Sequence, residues 1–310
     1  MRTRRLRAAL SVALLLAPGA VRAAPRNREP VPPAFPSAAS FCAPGAGFSL
    51  EFADEFDGPE LNASNWRVIE GSSPHPNVDD CYGDECGIWA GCRAGYCKPE
   101  NVYMNNGTVV LESNNDGFLN YSFTTATIVS RGLRNWTYAD GTYRMCISAQ
   151  LPGTEGANNN GLWPAHWLLP DAPALCDPDQ GEIDVMEMVN GNGQVYVDYW
   201  WQDASWPHNP NLCNNSSAER FVRTIKGVPN WHSAFHEYAY EAGPGHLAVA
   251  IDGQVLANWT NQKGATYYNA SYYLLINTAL GGEWPAPPTN STKWPANHIV
   301  DYVRVARAGW

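Results

Sequence analysis

Gly181-Glu182-Ile183-Asp184-Val185-Met186-Glu187-Met188 is the most informative stretch of the chain. Its apolar residues mark a strand, and a regular strand sends successive side chains to opposite faces. Strict alternation puts Glu182, Asp184 and Met186 on one face, and Ile183, Val185 and Glu187 on the other. A carboxylate left among apolar side chains costs several kcal/mol or gives up its charge. One extra residue near Val185 and Met186, a β-bulge, removes the conflict. Glu187 then joins Glu182 and Asp184, and Met188 returns to the core. Three carboxylates on one face repel, and no Lys or Arg is interleaved among them. The stretch therefore reads as a functional site. The plainer alternatives are a solvated edge strand or a calcium site built from the same residues.

The flanking sequence supplies partners. Gly193-Gln194-Val195-Tyr196-Val197-Asp198-Tyr199-Trp200-Trp201 reads as the hairpin partner of the acidic strand across Asn190-Gly191-Asn192-Gly193. In Gly161-Leu162-Trp163-Pro164-Ala165-His166-Trp167-Leu168-Leu169-Pro170, alternation gives Trp163, Ala165 and Trp167 a common face. Four strand steps set the two indoles ~13 Å apart. Aromatic faces suit the apolar faces of sugar rings. His166 points the other way and reads as structural. Further strands are expected at 48–56, 107–112, 126–131, 141–149, 236–241, 247–251, 272–277 and 299–305, with Asp252-Gly253 as a tight hairpin turn. Many short strands without a long amphipathic helix predict an all-β sandwich.

Several of these motifs resemble one family. Glu182-x-Asp184-x-x-Glu187 is similar to the signature of glycoside hydrolase family 16 in its bulged, laminarinase-like form, not the unbulged lichenase-like form. Trp163-Pro164-Ala165-His166-Trp167 resembles the family's Trp-Pro-Ala-x-Trp motif. Asp54-Glu55-Phe56 with Gly58, Leu61 and Trp66 resembles its entry motif, Gly281-Gly282-Glu283-Trp284 its Gly-Gly-x-Trp loop, and Ile299 to Val305 its last strand. The resemblance spans about residues 47 to 306. It implies a concanavalin-like β-jelly-roll sandwich with an open substrate cleft on the concave sheet. It implies Glu182 as nucleophile, Glu187 as general acid/base and Asp184 as the carboxylate between them. Trp163, Trp167, Trp284 and Trp200 are the implied sugar contacts; Trp200 stands where relatives often carry a His. Asp301 is the implied ligand of an optional structural calcium, and no cofactor is required.

The expected activity is that of a secreted, retaining, endo-acting β-glucan hydrolase, a monomer that cleaves β-1,3-glucan with mixed β-1,3-1,4-glucan as a further substrate. A cell-wall transglycosylase and a non-catalytic glucan-binding lectin on the same fold are the alternatives. Two carboxyl groups ~5–5.5 Å apart are what retention requires.

Composition agrees with a neutral polymer as partner. The 310 residues carry a net charge of −10, against the basic footprint of nucleic-acid binding and against anionic membrane surfaces. Apolar content of 45% supports a sizeable core, into which most of the 13 Trp and 15 Tyr must pack. Residues 1–23 read as a signal peptide, with Arg2, Arg4, Arg5 and Arg7 before an apolar run too short to span a bilayer. Residues 24–40 read as a Pro-rich linker and 41–310 as the catalytic domain. Eight cysteines suit an oxidising compartment. Cys81, Cys86, Cys92 and Cys97 are expected to staple a long loop near one end of the groove, and Cys176 and Cys213 to join loops beside the acidic strand. Cys146 is expected to be a free core thiol. Nine Asn-x-Ser/Thr sequons are candidate glycosylation sites.

Overall fold

The computed structural model describes residues 40–45, 47–71, 92–171, 182–202, 219–260, 271–282 and 284–308. The expected signal peptide, nearly all of the linker, and Cys81, Cys86, Cys176 and Cys213 lie outside them. In chain order the first strands are β1 (Phe48–Asp54), β2 (Arg67–Val68), β3 (Tyr96–Cys97), β4 (Val102–Met104), β5 (Val109–Ser113), β6 (Thr124–Thr125), β7 (Thr127–Val129) and β8 (Tyr143–Gln150). There follow β9 (Leu162–Pro170), β10 (Glu182–Glu187), β11 (Gln194–Gln202), β12 (Glu219–Gly227), β13 (His236–Gly243), β14 (His246–Ile251), β15 (Gln254–Thr260), β16 (Tyr272–Leu280) and β17 (Ala296–Ala308).

Two antiparallel sheets form the expected jelly-roll sandwich. The front sheet runs β12-β11-β10-β9-β16-β7-β2, and the back sheet β15-β14-β13-β8-β17-β5-β4. The long β17 pairs with β5 through its first half and with β1 through its second. This order sets β10 inside the front sheet, with β9 and β11 on either side.

Period-two patterning explains the layers. On β8, Tyr143, Met145, Ile147 and Ala149 enter the core between the sheets. On β9, β10 and β16, Leu168, Ile183, Leu274 and Ile276 meet them from the front. Tyr143 and Tyr240 are fully buried and share a hydroxyl–hydroxyl hydrogen bond of 2.7 Å, so neither phenol is stranded. His166 is structural, as expected. Its Nε2 lies 2.9 Å from Nε2 of His298 across the sandwich. Burial pushes its basicity well down and holds His298 at about 4, so both are neutral at physiological pH.

The turn between β10 and β11 is specified locally. Asn190, Gly191 and Gly193 have φ of 55°, 56° and 71°. A Cβ on Gly191 would lie 2.6 Å from the amide of Asn159, so a side chain there is both strained and crowded. Asp252 and Gly253 also adopt positive φ, as the β14–β15 hairpin requires.

One expectation is corrected, and one strand is added. Cys146 is not a free thiol: it points to the outer face of β8 and is disulfide-bonded to Cys42. Its partner lies 104 residues away, beyond the reach of local pattern. Strand β12 was not foreseen, because Glu219-Arg220-Phe221-Val222-Arg223-Thr224-Ile225-Lys226 pairs on one side only among the described residues and is polar in the manner of edge strands.

The Cys42–Cys146 bridge ties the chain ahead of β1 to the back sheet. Phe41 N–H also donates to Glu237, and Arg144 Nη1 to the Phe41 carbonyl. Replacing both cysteines by Ser is expected to lower unfolding stability by about 2–4 kcal/mol, measured by urea titration. A midpoint equal to wild type would mean that the bridge anchors nothing.

Candidate active site

Strand β10 carries the bulge. Against β9, Asp184 pairs with Trp167 and Met186 with His166; against β11, Asp184 pairs with Asp198 and Glu187 with Tyr196. Val185 and Met186 therefore occupy the space of one residue of β11. Both turn inward and are fully buried. Glu182, Asp184 and Glu187 emerge on the outer face of the front sheet, opposite Trp200, Asp198 and Tyr196.

Each acid is held differently. Glu182 is half-exposed, whereas Asp184 and Glu187 are 2% and 8% exposed. Trp200 Nε1–H donates to Asp184 Oδ2 at 3.1 Å, and Trp163 Nε1–H donates to Glu187 Oε1 at 2.8 Å. Trp200 on β11 thus orients the middle acid, while the last acid takes its hydrogen bond from β9.

Asp198 completes the constellation, and sequence reading missed it. It is fully buried, and one oxygen each from Asp184, Glu187 and Asp198 lie within 4.8 Å of one another. Arg223 grips it from β12, with Nε at 2.8 Å from Oδ1 and Nη2 at 2.7 Å from Oδ2. A signal existed for Asp198, a lone acid alternating with Val195, Val197 and Tyr199 on a core strand. None existed for Arg223, whose place depends on the register of β12 against β11.

Burial raises Glu187 from its ordinary 4.5 to about 7, and the negative charge of Asp198 adds to the rise. The Trp163 hydrogen bond and the guanidiniums of Arg223 and Arg93 oppose it. Burial also raises Asp198, against the pull of Arg223. Glu187 therefore holds a proton at mildly acidic pH. The three clustered acids are the one grouping of three metal-ligand side chains among the described residues. Arg223 already supplies the counter-charge that a cation would bring.

Aromatic groups wall the site. Trp284 meets Trp163 edge-on at 5.6 Å and Tyr196 at 4.7 Å. Arg223 lies over Trp284 at 5.0 Å, and Arg93 over Trp163 at 5.3 Å. Trp163, Trp200 and Trp284 are all partly exposed. Trp167 shares their face but is only 7% exposed. It packs beside Cys92, Cys97 and Leu275 and donates Nε1–H to Asn277, which makes it floor rather than wall. Cys92 and Cys97 are joined by a disulfide beside Trp167, whereas residues 72–91 of the expected loop, with Cys81 and Cys86, lie outside the described residues. Asp301 is not brought into the site. It sits at a bulge of β17, half-buried, with Ser148, Glu55, Asp57 and Arg304 around it. No grouping of three ligand side chains includes it among the described residues.

Comparison with known proteins covers this whole region. The family model for "Glycosyl hydrolases family 16" matches residues 96–304. A Beta-glucanase of Rhodothermus marinus is 29% identical over 277 residues, covering 84% of this chain and 85% of that protein. The laminarinase structure from Rhodothermus marinus has a TM-score of 0.66 at 25% identity, covering 85% of this chain and 98% of its own. The laminarinase catalytic domain from Thermotoga maritima has a TM-score of 0.67 at 23% identity, covering 85% and 99%, a likeness of fold.

The raised acid has a consequence for stability. An unfolded Glu titrates near ~4.3, so between there and about 7 the folded state binds more protons at Glu187. Stability conferred by the protonated group is complete below the unfolded value and is lost as pH rises through the folded one. Glu187→Gln is therefore expected to raise the melting temperature more at pH 8 than at pH 5. An equal change at both would show that Glu187 is not held protonated.

Proposed function

The chain belongs to glycosyl hydrolases family 16, and from that premise we propose that it is a secreted, retaining, endo-acting hydrolase of β-1,3-glucan, with mixed β-1,3-1,4-glucan as a further substrate. One observation carries the reading. The bulge sets Glu187 on the face of Glu182 and Asp184, and burial gives Glu187 a proton to donate below about pH 7.

In the first step a carboxylate oxygen of Glu182 bonds to the anomeric carbon as the bond to the departing oxygen breaks. The Glu187 proton passes to that oxygen. In the second step the Glu187 carboxylate takes a proton from water, whose oxygen displaces Glu182 from the sugar. Asp184, oriented by Trp200, steadies Glu182 as its charge changes. Trp163, Trp284 and Trp200 offer indole surface to sugar rings, with Trp167 beneath. All these groups come from one chain, which supports a working monomer.

Two further observations support a secreted glycoprotein. The described cysteines form two disulfides, Cys42–Cys146 and Cys92–Cys97, which persist in oxidising compartments. The sequon asparagines among the described residues, Asn62, Asn106, Asn120, Asn135, Asn258 and Asn290, are all exposed. No helix among the described residues is long and apolar enough to cross a membrane.

Glu182→Gln is expected to lower kcat on laminarin by at least about 10³-fold, as loss of a group that acts within a catalytic unit does, while laminarin binding persists by calorimetry. Activity near wild type would remove the assignment. Product anomers followed by proton NMR are expected to keep the β configuration; inversion would take the nucleophile role from Glu182. Products from laminarin and from mixed-linkage glucan decide the range of linkages accepted.

A further inference from the structure

We propose that the Asp198–Arg223 pair is a positioning device that balances how firmly Glu187 holds its proton and so determines the pH range in which this enzyme works. The inference rests on the reading of Glu187 as acid/base and goes beyond it, because neither residue of the pair takes part in bond making.

The geometry supplies the argument. Asp198 stands on β11 directly opposite Asp184, on the face that carries the acids, and is fully buried. Its carboxylate lies within 4.8 Å of oxygens of both Asp184 and Glu187. A negative charge that close disfavours a second one on Glu187. An acid buried to this degree must itself be matched, and Arg223 matches it through both oxygens. Arg223 also lies over Tyr196 at 5.5 Å and over Trp284 at 5.0 Å. Trp284 touches Trp163, whose indole N–H is bonded to Glu187. The contacts thus close a ring from Glu187 through Trp163, Trp284, Arg223 and Asp198 back to Glu187.

The charged neighbours of Glu187 among the described residues come from each element around it. Its own strand offers Asp184 and Glu182, β11 offers Asp198 with Tyr196 beside it, β12 offers Arg223, and the stapled loop offers Arg93. On β9, Trp163 is the polar partner, since His166 faces the core. Asp198 is the neighbouring charge that raises Glu187, and Arg223 is the cation that limits the rise of both carboxyl groups.

The test is the pH dependence of kcat/KM on laminarin for wild type, Asp198→Asn and Arg223→Gln. Removing the anion is expected to move the alkaline limb down by about one pH unit, and removing the cation to move it up. A purely structural role would lower kcat/KM alike at every pH and leave the limb in place, which overturns the proposal. Should Asn at 198 cost the fold, Arg223→Gln on the edge strand decides alone, and an unmoved limb overturns the proposal. Carbon-13 NMR titration of the Glu187 carboxyl reads the same opposite shifts without turnover. An inactive wild type therefore defeats the glucanase reading, whereas a Glu187 titration that ignores both substitutions defeats this inference alone.

Discussion

One surplus residue in β10 carries the arrangement of the site. Without the bulge, period two would drive Glu187 into the core beside Ile183 and Val185, where a carboxylate has no match. With it, Val185 and Met186 share one inward space, and the acid emerges beside Asp184. The distortion is held from both sides, because β9 and β11 each pair with β10 before and after it. A bulge inside a sheet, flanked by two strands and backed by a close-packed core, cannot slide without turning apolar residues to solvent.

The second constraint is electrostatic. The outer face of the front sheet gathers Glu182, Asp184, Glu187 and Asp198, an arrangement that repels itself in a largely desolvated place. The protein meets this in two ways. Arg223 neutralises one acid through both carboxylate oxygens, and burial leaves another protonated. Indole N–H groups of Trp163 and Trp200 hold the remaining orientations without adding charge. Acids of different protonation state, fixed a few ångströms apart, are what acid–base chemistry near neutral pH needs.

The rest of the sandwich is a rigid support for these few groups. Two tyrosines joined by their hydroxyls and two neutral histidines joined by their Nε2 atoms lie between the sheets. Disulfides then fasten the segments that regular pairing does not hold. Cys42–Cys146 secures the chain before β1, and Cys92–Cys97 ties β3 to the turn just ahead of it, beside Trp167.

Local patterning was enough for the sandwich, for most of its strands, and for the trio Glu182, Asp184 and Glu187. Period two, turn residues and the energetic objection to a buried acid all act within a few residues of chain. Strand β12, the partner of Cys146, the burial of Trp167 and the pairing of Asp198 with Arg223 were beyond that reach. Each depends on which distant segment lies alongside, and register across a sheet is settled by packing of the whole core. The chain by itself determined that Glu187 must leave the core; only the tertiary structure decided what surrounds it once out, because long-range pairing chooses the neighbours that set a buried acid's charge.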